Sequence, residues 1–277
     1  MKAIFNLAGN KSLLAAKLEK YMPSYYTQYV ELFGGTLSML NYQPLYKYKY
    51  NILINDFNED YTNLYKIIKS KTKYLNMIYI LDKWYTVLEK NKWSKSSLIK
   101  MYKYYQKNNI IELLPILTRV IYFGLLDKRK DANKVVWRLP HNVKISLKTF
   151  IKIKESLYNL HLKLKYNNAK IFNTDLTSQS QNILKHIHKD AFVFLDPPYI
   201  SYENANNQIY GKGKKIKVYS WLNMLVDIDK KEAKFMLTDV YNKKSLAEYK
   251  KLKPLIKHLN IKKIKGAKYD EIVVMNY

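Results

Sequence analysis

The chain contains no cysteine. That excludes disulfides, thiolate metal sites and cysteine nucleophiles. Acidic residues are few, 22 Asp+Glu against 49 Lys+Arg, and the formal net charge is +27. Among the basic residues arginine is scarce, occurring only as Arg119, Arg129 and Arg138. No apolar run is both long and clean. The longest, 110–126, carries Glu112, Pro115 and Arg119, which makes it a poor membrane span and a better core helix. The segment Met1-Lys2-Ala3-Ile4-Phe5 lacks the apolar region of a secretory signal. There is no internal repeat and no long Gly/Ser linker. These absences lead us to expect a soluble intracellular protein.

What is present is a surplus of lysine and a chain of 277 residues. That length suits one large α/β domain, or one domain with an insert. A surplus of positive charge attracts a polyanion, and nucleic acid is the expected one. Lysine is spread throughout, with the richest stretches at 212–217 and 243–268. A merely solvated basic face is the alternative reading of either stretch. The 27 tyrosines, with abundant Lys, Ile and Asn, suggest an AT-rich coding sequence. That bias weakens arguments from Tyr or Lys counts and sharpens any argument from Arg.

The order of patterns is α/β, then helical, then α/β. Residues 12–21 read as a helix, and 29–32 and 52–54 as strands. From 61 to about 107 the pattern is mostly helical, and 110–126 continues it. Residues 127–142 are polar, charged and turn-rich, and 146–164 read as a long helix. Strands then recur at 170–172, 192–195, 234–237, 261–264 and 271–275. The pattern predicts an α/β sheet domain formed by 1–60 and 165–277, interrupted by a helical insert at 61–164.

Three sites in this pattern carry chemistry. The apolar run 191–195 reads as a buried parallel strand. Asp196-Pro197-Pro198-Tyr199 follows it at once. Two prolines end a strand, because neither can donate to the ladder. An acid, a rigid turn and an aromatic thus sit at a strand's carboxyl end, where open α/β sheets bind ligands. A plain strand-closing turn is the alternative. The first strand leads into Glu31-Leu32-Phe33-Gly34-Gly35-Thr36, whose glycines allow close approach of backbone to a ligand. The next strand ends in Asn55-Asp56. An acid about twenty residues beyond such glycines accepts from ribose hydroxyls in nucleotide-binding folds. Capping the helix that starts near Asn58 is the other reading of Asp56.

Taken in order, these segments resemble the Dam-type, alpha-group DNA adenine-N6 methyltransferases. Asn6-Leu7-Ala8-Gly9-Asn10-Lys11 is similar to that family's amino-terminal motif. Tyr29 to Gly35 resembles its first methyl-donor motif, Asn55-Asp56 its second, and Asp196 to Tyr199 its catalytic tetrad. Glu271-Ile272-Val273-Val274-Met275-Asn276-Tyr277 resembles its last strand. The resemblance implies a Rossmann-like methyltransferase sheet with helices on both faces and a mainly helical DNA-recognition insert. It implies transfer of a methyl group from S-adenosylmethionine to the amine of a flipped adenine, leaving S-adenosylhomocysteine and using no metal.

Residue by residue, Asp196, Pro197, Pro198 and Tyr199 would hold and stack the target adenine. Asn6, Leu7, Gly9 and Lys11 would help form the donor pocket, with Glu31, Phe33, Gly35 and Thr36 lining it. Asp56 would bind the ribose, Asp175 would contact the donor's adenine, and Asp196 would border both ligands. All three arginines fall in the insert and its turn-rich loop, so Arg119, Arg129 and Arg138, with Lys128 and Lys130, are the expected DNA contacts; pairing of one or more of the arginines with Glu112, Asp127 or Asp131 is the alternative. Leu7 stands where an aromatic is common, Thr36 where a small residue is, and Asp239 where an Asn is often found. The implied partner is double-stranded DNA, read by a monomer in the cytoplasm of a bacterial cell or phage-infected host, with or without an accompanying restriction enzyme. Two other readings remain open: methylation of RNA adenine or protein glutamine, and a non-catalytic DNA-binding relative.

Overall fold

A computed structural model describes residues 11–43, 50–120, 144–197, 220–266 and 269–277. Its centre is a seven-stranded sheet. The strands are β1 (Gln28–Glu31), β2 (Asn51–Asn55), β3 (Lys170–Phe172), β4 (Ala191–Leu195), β5 (Lys234–Val240), β6 (Asn260–Ile264) and β7 (Glu271–Met275). Their spatial order is β3-β2-β1-β4-β5-β7-β6. All neighbours pair in parallel except that β7 runs antiparallel to both β5 and β6. The order reverses between β1 and β4, and such a switch opens a crevice at the strands' carboxyl ends.

The sheet is covered on both faces, and strand residues divide between the two by alternation. Tyr29, Ile52, Ile54, Phe192, Phe194, Met236, Val273 and Met275 join one apolar core. Val30, Leu53, Val193, Leu195, Phe235, Leu237, Ile272 and Val274 join the other. Central strands buried on both faces must be apolar throughout, which is why β4 reads Ala-Phe-Val-Phe-Leu with every residue buried. The second core is closed by α8 (Leu176–Leu184), α9 (Ser220–Lys230) and α10 (Lys243–Lys250).

The first core is closed by α1 (Ala15–Glu19), α2 (Ser38–Tyr42), α3 (Glu59–Lys69) and α7 (Leu147–Tyr166). It runs on without a break into α4 (Lys71–Lys90), α5 (Lys95–Asn108) and α6 (Leu114–Val120). Stacked rings tie these helices together. Tyr85 on α4 lies face to face with Phe150 on α7, centroids 4.2 Å apart, and Tyr74 with His161 at 4.5 Å. The helical region thus shares one core with the sheet.

Several elements differ from the sequence reading in detail. Residues 12–21 are not one helix: a 3-10 turn at Lys11–Leu13 precedes the short α1. The helical stretch from 61 is three helices. It breaks where Ser70 turns extended, and again where Lys92 and Trp93 both take positive φ. The 3-10 turn at Ile111–Leu113 precedes α6. β5 extends three residues further than the pattern predicts, to Val240. Helix α2 was missed altogether, being five residues long. The turn-rich loop at 127–142 lies outside the described residues. No helix among those described is long and apolar enough to cross a membrane.

Candidate active site

The carboxyl ends of β1, β2 and β4 bring three acids to one edge. The first is Glu31, the last residue of β1, fully buried. It accepts from the Tyr29 hydroxyl at 2.8 Å and from the Leu40 backbone N–H at 3.4 Å. Burial pushes its carboxyl up to about 8, against the pull of those two bonds. Lys163, reaching in from α7, donates to the carbonyls of Leu40 and Asn41, both at 2.7 Å. Burial pushes this ammonium down to about 7, and the charge of Glu31 opposes that shift. Together the two side chains hold α2 to β1 and to α7.

The turn after β1 is shaped by its glycines. Gly34 is tightly enclosed: a Cβ there would sit 3.3 Å from the Asn55 carbonyl, from Ile54 and from Leu37, so those neighbours would have to yield. Gly35 takes φ +49°, in the left-handed region that glycine tolerates at little cost. Its N–H donates to Asp56 Oδ2 at 2.6 Å, and its carbonyl accepts from the Tyr65 hydroxyl. Asp56 Oδ1 also accepts from the N–H of Asn58 at 2.7 Å. Asp56 therefore holds the turn against the end of β2. The helix cap is a different residue, Asn58, whose side chain accepts from Asp60 N–H. Burial raises the Asp56 carboxyl to about 6, while the two N–H donors lower it. Phe33 meets the indole of Trp221 edge to face at 6.1 Å. Thr36 is buried, its hydroxyl in contact with that of Ser38.

Asn55 ties this region to β3. Its side-chain amide donates to the Leu32 carbonyl at 3.2 Å and the Thr174 carbonyl at 3.1 Å, and accepts from Thr174 N–H at 2.9 Å. Asp175, the next residue, caps α8, accepting from the Thr177 N–H at 3.0 Å and its hydroxyl at 2.6 Å.

The third acid is Asp196, directly after β4. Lys11 Nζ lies 3.1 Å from its Oδ1 and 3.2 Å from Glu271 Oε2. Thr238 on β5 donates its hydroxyl to the same Oδ1 at 3.1 Å. Burial raises the Asp196 carboxyl, and the ammonium of Lys11 and the Thr238 hydroxyl oppose the rise. Pro197 is buried beside it. Nearby on β5, Asp239 is fully buried and accepts from the Tyr249 hydroxyl at 3.0 Å.

The structure thus gathers Lys11, Glu31, Phe33, Gly35, Thr36, Asp56 and Asp196 at the sheet's carboxyl edge, with Asp175 one strand further out. Asn6, Leu7, Gly9, Pro198 and Tyr199 lie outside the described residues, as do Lys128, Arg129, Lys130 and Arg138. Arg119 lies in the last turn of α6, partly buried, and burial lowers its pKa. The sequence reading missed the parts played by Asn55, Lys163, Thr238 and Glu271. Thr238 had a signal, being a polar residue inside an apolar strand. So had Glu271, a lone acid opening the apolar terminal strand. Lys163 had none, being one lysine among many on α7.

This edge offers a narrow glycine turn, a buried acid beside it, and an acid next to a lysine. Such a set suits a ligand that carries ribose hydroxyls and a positive charge. A family model described as D12 class N6 adenine-specific DNA methyltransferase matches residues 8–266. A curated relative, the Type II methyltransferase M.MjaIII of Methanocaldococcus jannaschii, is 24% identical over 310 residues, covering 100% of this chain and 99% of its own. Among solved structures, the human methyltransferase 10 domain containing protein superposes with a TM-score of 0.41 at 8% identity, over 98% of this chain and 83% of that one. The delta-N METTL16 MTase domain gives a TM-score of 0.41 at 9% identity, over 95% and 79%. The family match takes in β1 to β6 with the glycine turn, Asp56 and Asp196, as well as the helices between them, and on that ground the chain belongs to the D12 class of N6 adenine-specific DNA methyltransferases.

Proposed function

We propose that Asp196 and the carbonyl of Pro197 accept the two amine hydrogens of an adenine flipped from duplex DNA, with Tyr199 stacked on the base. The observation that carries this is the placement of Asp196: at the switch between β1 and β4, beside the glycine turn, with Lys11 against its carboxylate. The amine of adenine is conjugated with its ring and is a poor nucleophile. Hydrogen bonds to Asp196 and Pro197 turn its lone pair toward the methyl donor and favour the positive charge that grows on nitrogen. Flipping costs a few kcal/mol, which stacking on Tyr199 offsets. The amine proton becomes acidic only after transfer, so no strong base is required beforehand.

Membership of the family implies S-adenosylmethionine as donor, and the residues present fit it. Asp56 faces the turn whose backbone would approach the ligand, and a Cβ at Gly35 would meet only the Phe33 carbonyl, at 3.9 Å. When bound, the donor supplies a methyl group already activated on a sulfonium, and no metal is called for. Lys11, Glu31, Phe33 and Thr36 would line its pocket, Asp56 would accept from the ribose and Asp175 would contact the adenine, with Asn6, Leu7 and Gly9 completing the wall. A thermal-shift titration with S-adenosylmethionine separates this enzyme from a binding module that has lost its donor site. Transfer to RNA or to a glutamine peptide in preference to duplex DNA would overturn the substrate assignment.

The substrate is DNA, and duplex DNA bound by a cytoplasmic monomer is the form proposed here, with 61–164 as the segment that reads the target. The charge of +27 makes a steep salt dependence the expected result. Each phosphate neutralised contributes about −0.9 to the slope of log K against log salt. The stretch 243–268 and the insert are the expected sources. Fluorescence anisotropy across a salt series measures the slope, and a flat response would assign the charge to solubility.

Arg129 and Arg138 are proposed to contact DNA, at least one of them reading a guanine. A guanidinium bridges two acceptors on one base, and an ammonium does not. Arg129→Lys and Arg138→Lys are expected to relax site choice more than they slow methylation of the best site, each base contact being worth ~1–3 kcal/mol. Long-read mapping of N6-methyladenine in expressing cells tests this, and identical maps for wild type and both variants would refute it.

A further inference from the structure

One ammonium lies between two carboxylates at the amine end of the site. Lys11 Nζ is 3.1 Å from Asp196 Oδ1 and 3.2 Å from Glu271 Oε2, with Glu271 Oε1 at 3.4 Å. The three side chains keep only 4%, 20% and 14% of their exposure. They come from the 3-10 turn, from the end of β4 and from the first residue of β7. Because β7 is antiparallel to β5, its first residue pairs with Val240, the last residue of β5. The reversal of β7 therefore carries Glu271 to the edge where the parallel strands end.

We propose that Glu271 is a positioning residue for methyl transfer: it shares the charge of Lys11 with Asp196 and so keeps Asp196 a strong acceptor for the adenine amine. The inference rests on Asp196 being that acceptor. A carboxylate with an ammonium to itself is largely compensated and accepts weakly. One with no ammonium, in so buried a place, would be driven toward its protonated form. Division of a single charge between two acids sets Asp196 between these limits.

Among the described residues, the other groups around Glu271 are apolar or paired elsewhere. Its partners across the sheet, Val240 and Ile264, are apolar. Asp270 pairs with Lys263 at 2.8 Å on the surface. Asp239 is engaged by the Tyr249 hydroxyl. The Glu271 side chain packs beside the Gly266 backbone, where an added Cβ would come within 3.3 Å of its Cγ. Burial and the neighbouring Asp196 raise the Glu271 carboxyl, and Lys11 lowers it.

The test is the pH dependence of single-turnover methyl transfer to an adenine-containing duplex. Glu271→Gln keeps the shape and removes the charge. Asp196 then no longer shares Lys11 with Glu271, so the acidic limb of the profile is expected to move to lower pH by about one unit. The plateau falls by up to about tenfold, the most that a one-unit loss of acceptor basicity carries. The KM for S-adenosylmethionine stays unchanged. If Glu271→Gln does not fold, Glu271→Asn measured against the size-matched Glu271→Asp carries the same comparison of neutral with charged. An unmoved limb in the neutral variant, or a loss confined to KM, would overturn the proposal. Asp196→Ala, run alongside, keeps the two readings apart. Retained turnover there would remove Asp196 as acceptor and the inference with it. Lost turnover there, with an unmoved Glu271→Gln limb, removes the role of Glu271 alone.

Discussion

Asp196→Ala is expected to abolish methyl transfer, lowering the rate by roughly 10²–10⁴, while fold and DNA binding persist. The magnitude is that of removing one well-placed polar group from a reacting centre. The fold is spared for a specific reason. Truncating Asp196 leaves Lys11 with Glu271 as partner at 3.2 Å, so no buried ammonium is stranded. Thr238 loses one acceptor, at a cost of about 1 kcal/mol. The carboxylate itself is disfavoured by burial, which raises its pKa above the ordinary value. Its ionisation therefore opposes folding as pH rises, and removing it relieves that cost. Stability and activity should part company: an unchanged or higher Tm beside a lost rate. Tritium transfer from labelled donor to adenine duplexes, with thermal melts on the same samples, reads both. Near-normal turnover would refute the catalytic role of Asp196.

Asp56→Ala is expected to weaken S-adenosylmethionine binding by ~1.5–3 kcal/mol, the worth of a hydrogen bond to a charged group, and to leave DNA affinity nearly unchanged. Two effects act together. The variant loses the acceptor proposed for the ribose. It also releases the Gly35 N–H, which Asp56 holds at 2.6 Å, so the left-handed turn loses its tether. A pH signature separates Asp56 from residues that merely shape the pocket. Burial pushes its carboxyl from the ordinary value of 3.8 up to about 6 in the folded chain. Between those two values the folded protein binds more protons at this site than the unfolded one, so ionising Asp56 costs stability as pH rises. Donor affinity runs the other way. It should be full above about 6 and weaken as pH falls through that value. Calorimetry with S-adenosylmethionine at several pH values measures both, and Asp56→Ala should lose the pH step with the affinity. Unchanged affinity in the variant would leave Asp56 a support of the turn alone.

Much of the fold is legible in the residues. A strand buried on both faces has to be apolar at every position, so 191–195 is visible as a central parallel strand, and the proline pair marks its end. Alternating strand and helix patterns on either side of a helical stretch indicate an α/β sheet. The acid after β4, the glycine turn after β1 and the acid after β2 lie at strand ends, and strand ends are where patterning stops and chemistry begins. Each of these signals is local. A strand's period, a glycine's freedom and a proline's missing N–H act within a few residues, and they can be read from a few residues.

Tertiary structure alone decided the rest, because the forces involved join distant parts of the chain. Nothing near Lys11 says that its ammonium will lie between Asp196 and Glu271. That contact depends on the antiparallel course of β7, set by its pairing with β5. Asp56 had two readings in the sequence, a helix cap and a ribose acceptor. In the structure the cap belongs to Asn58, and Asp56 holds the Gly35 N–H across a strand boundary. Lys163 is one lysine among many until α7 packs on the sheet and buries it against the carbonyls of Leu40 and Asn41. Whether a charge lies in water or in the core is a property of packing. For this chain, residue types and spacing singled out the groups proposed for the chemistry, and burial across the sheet determined which charges they face.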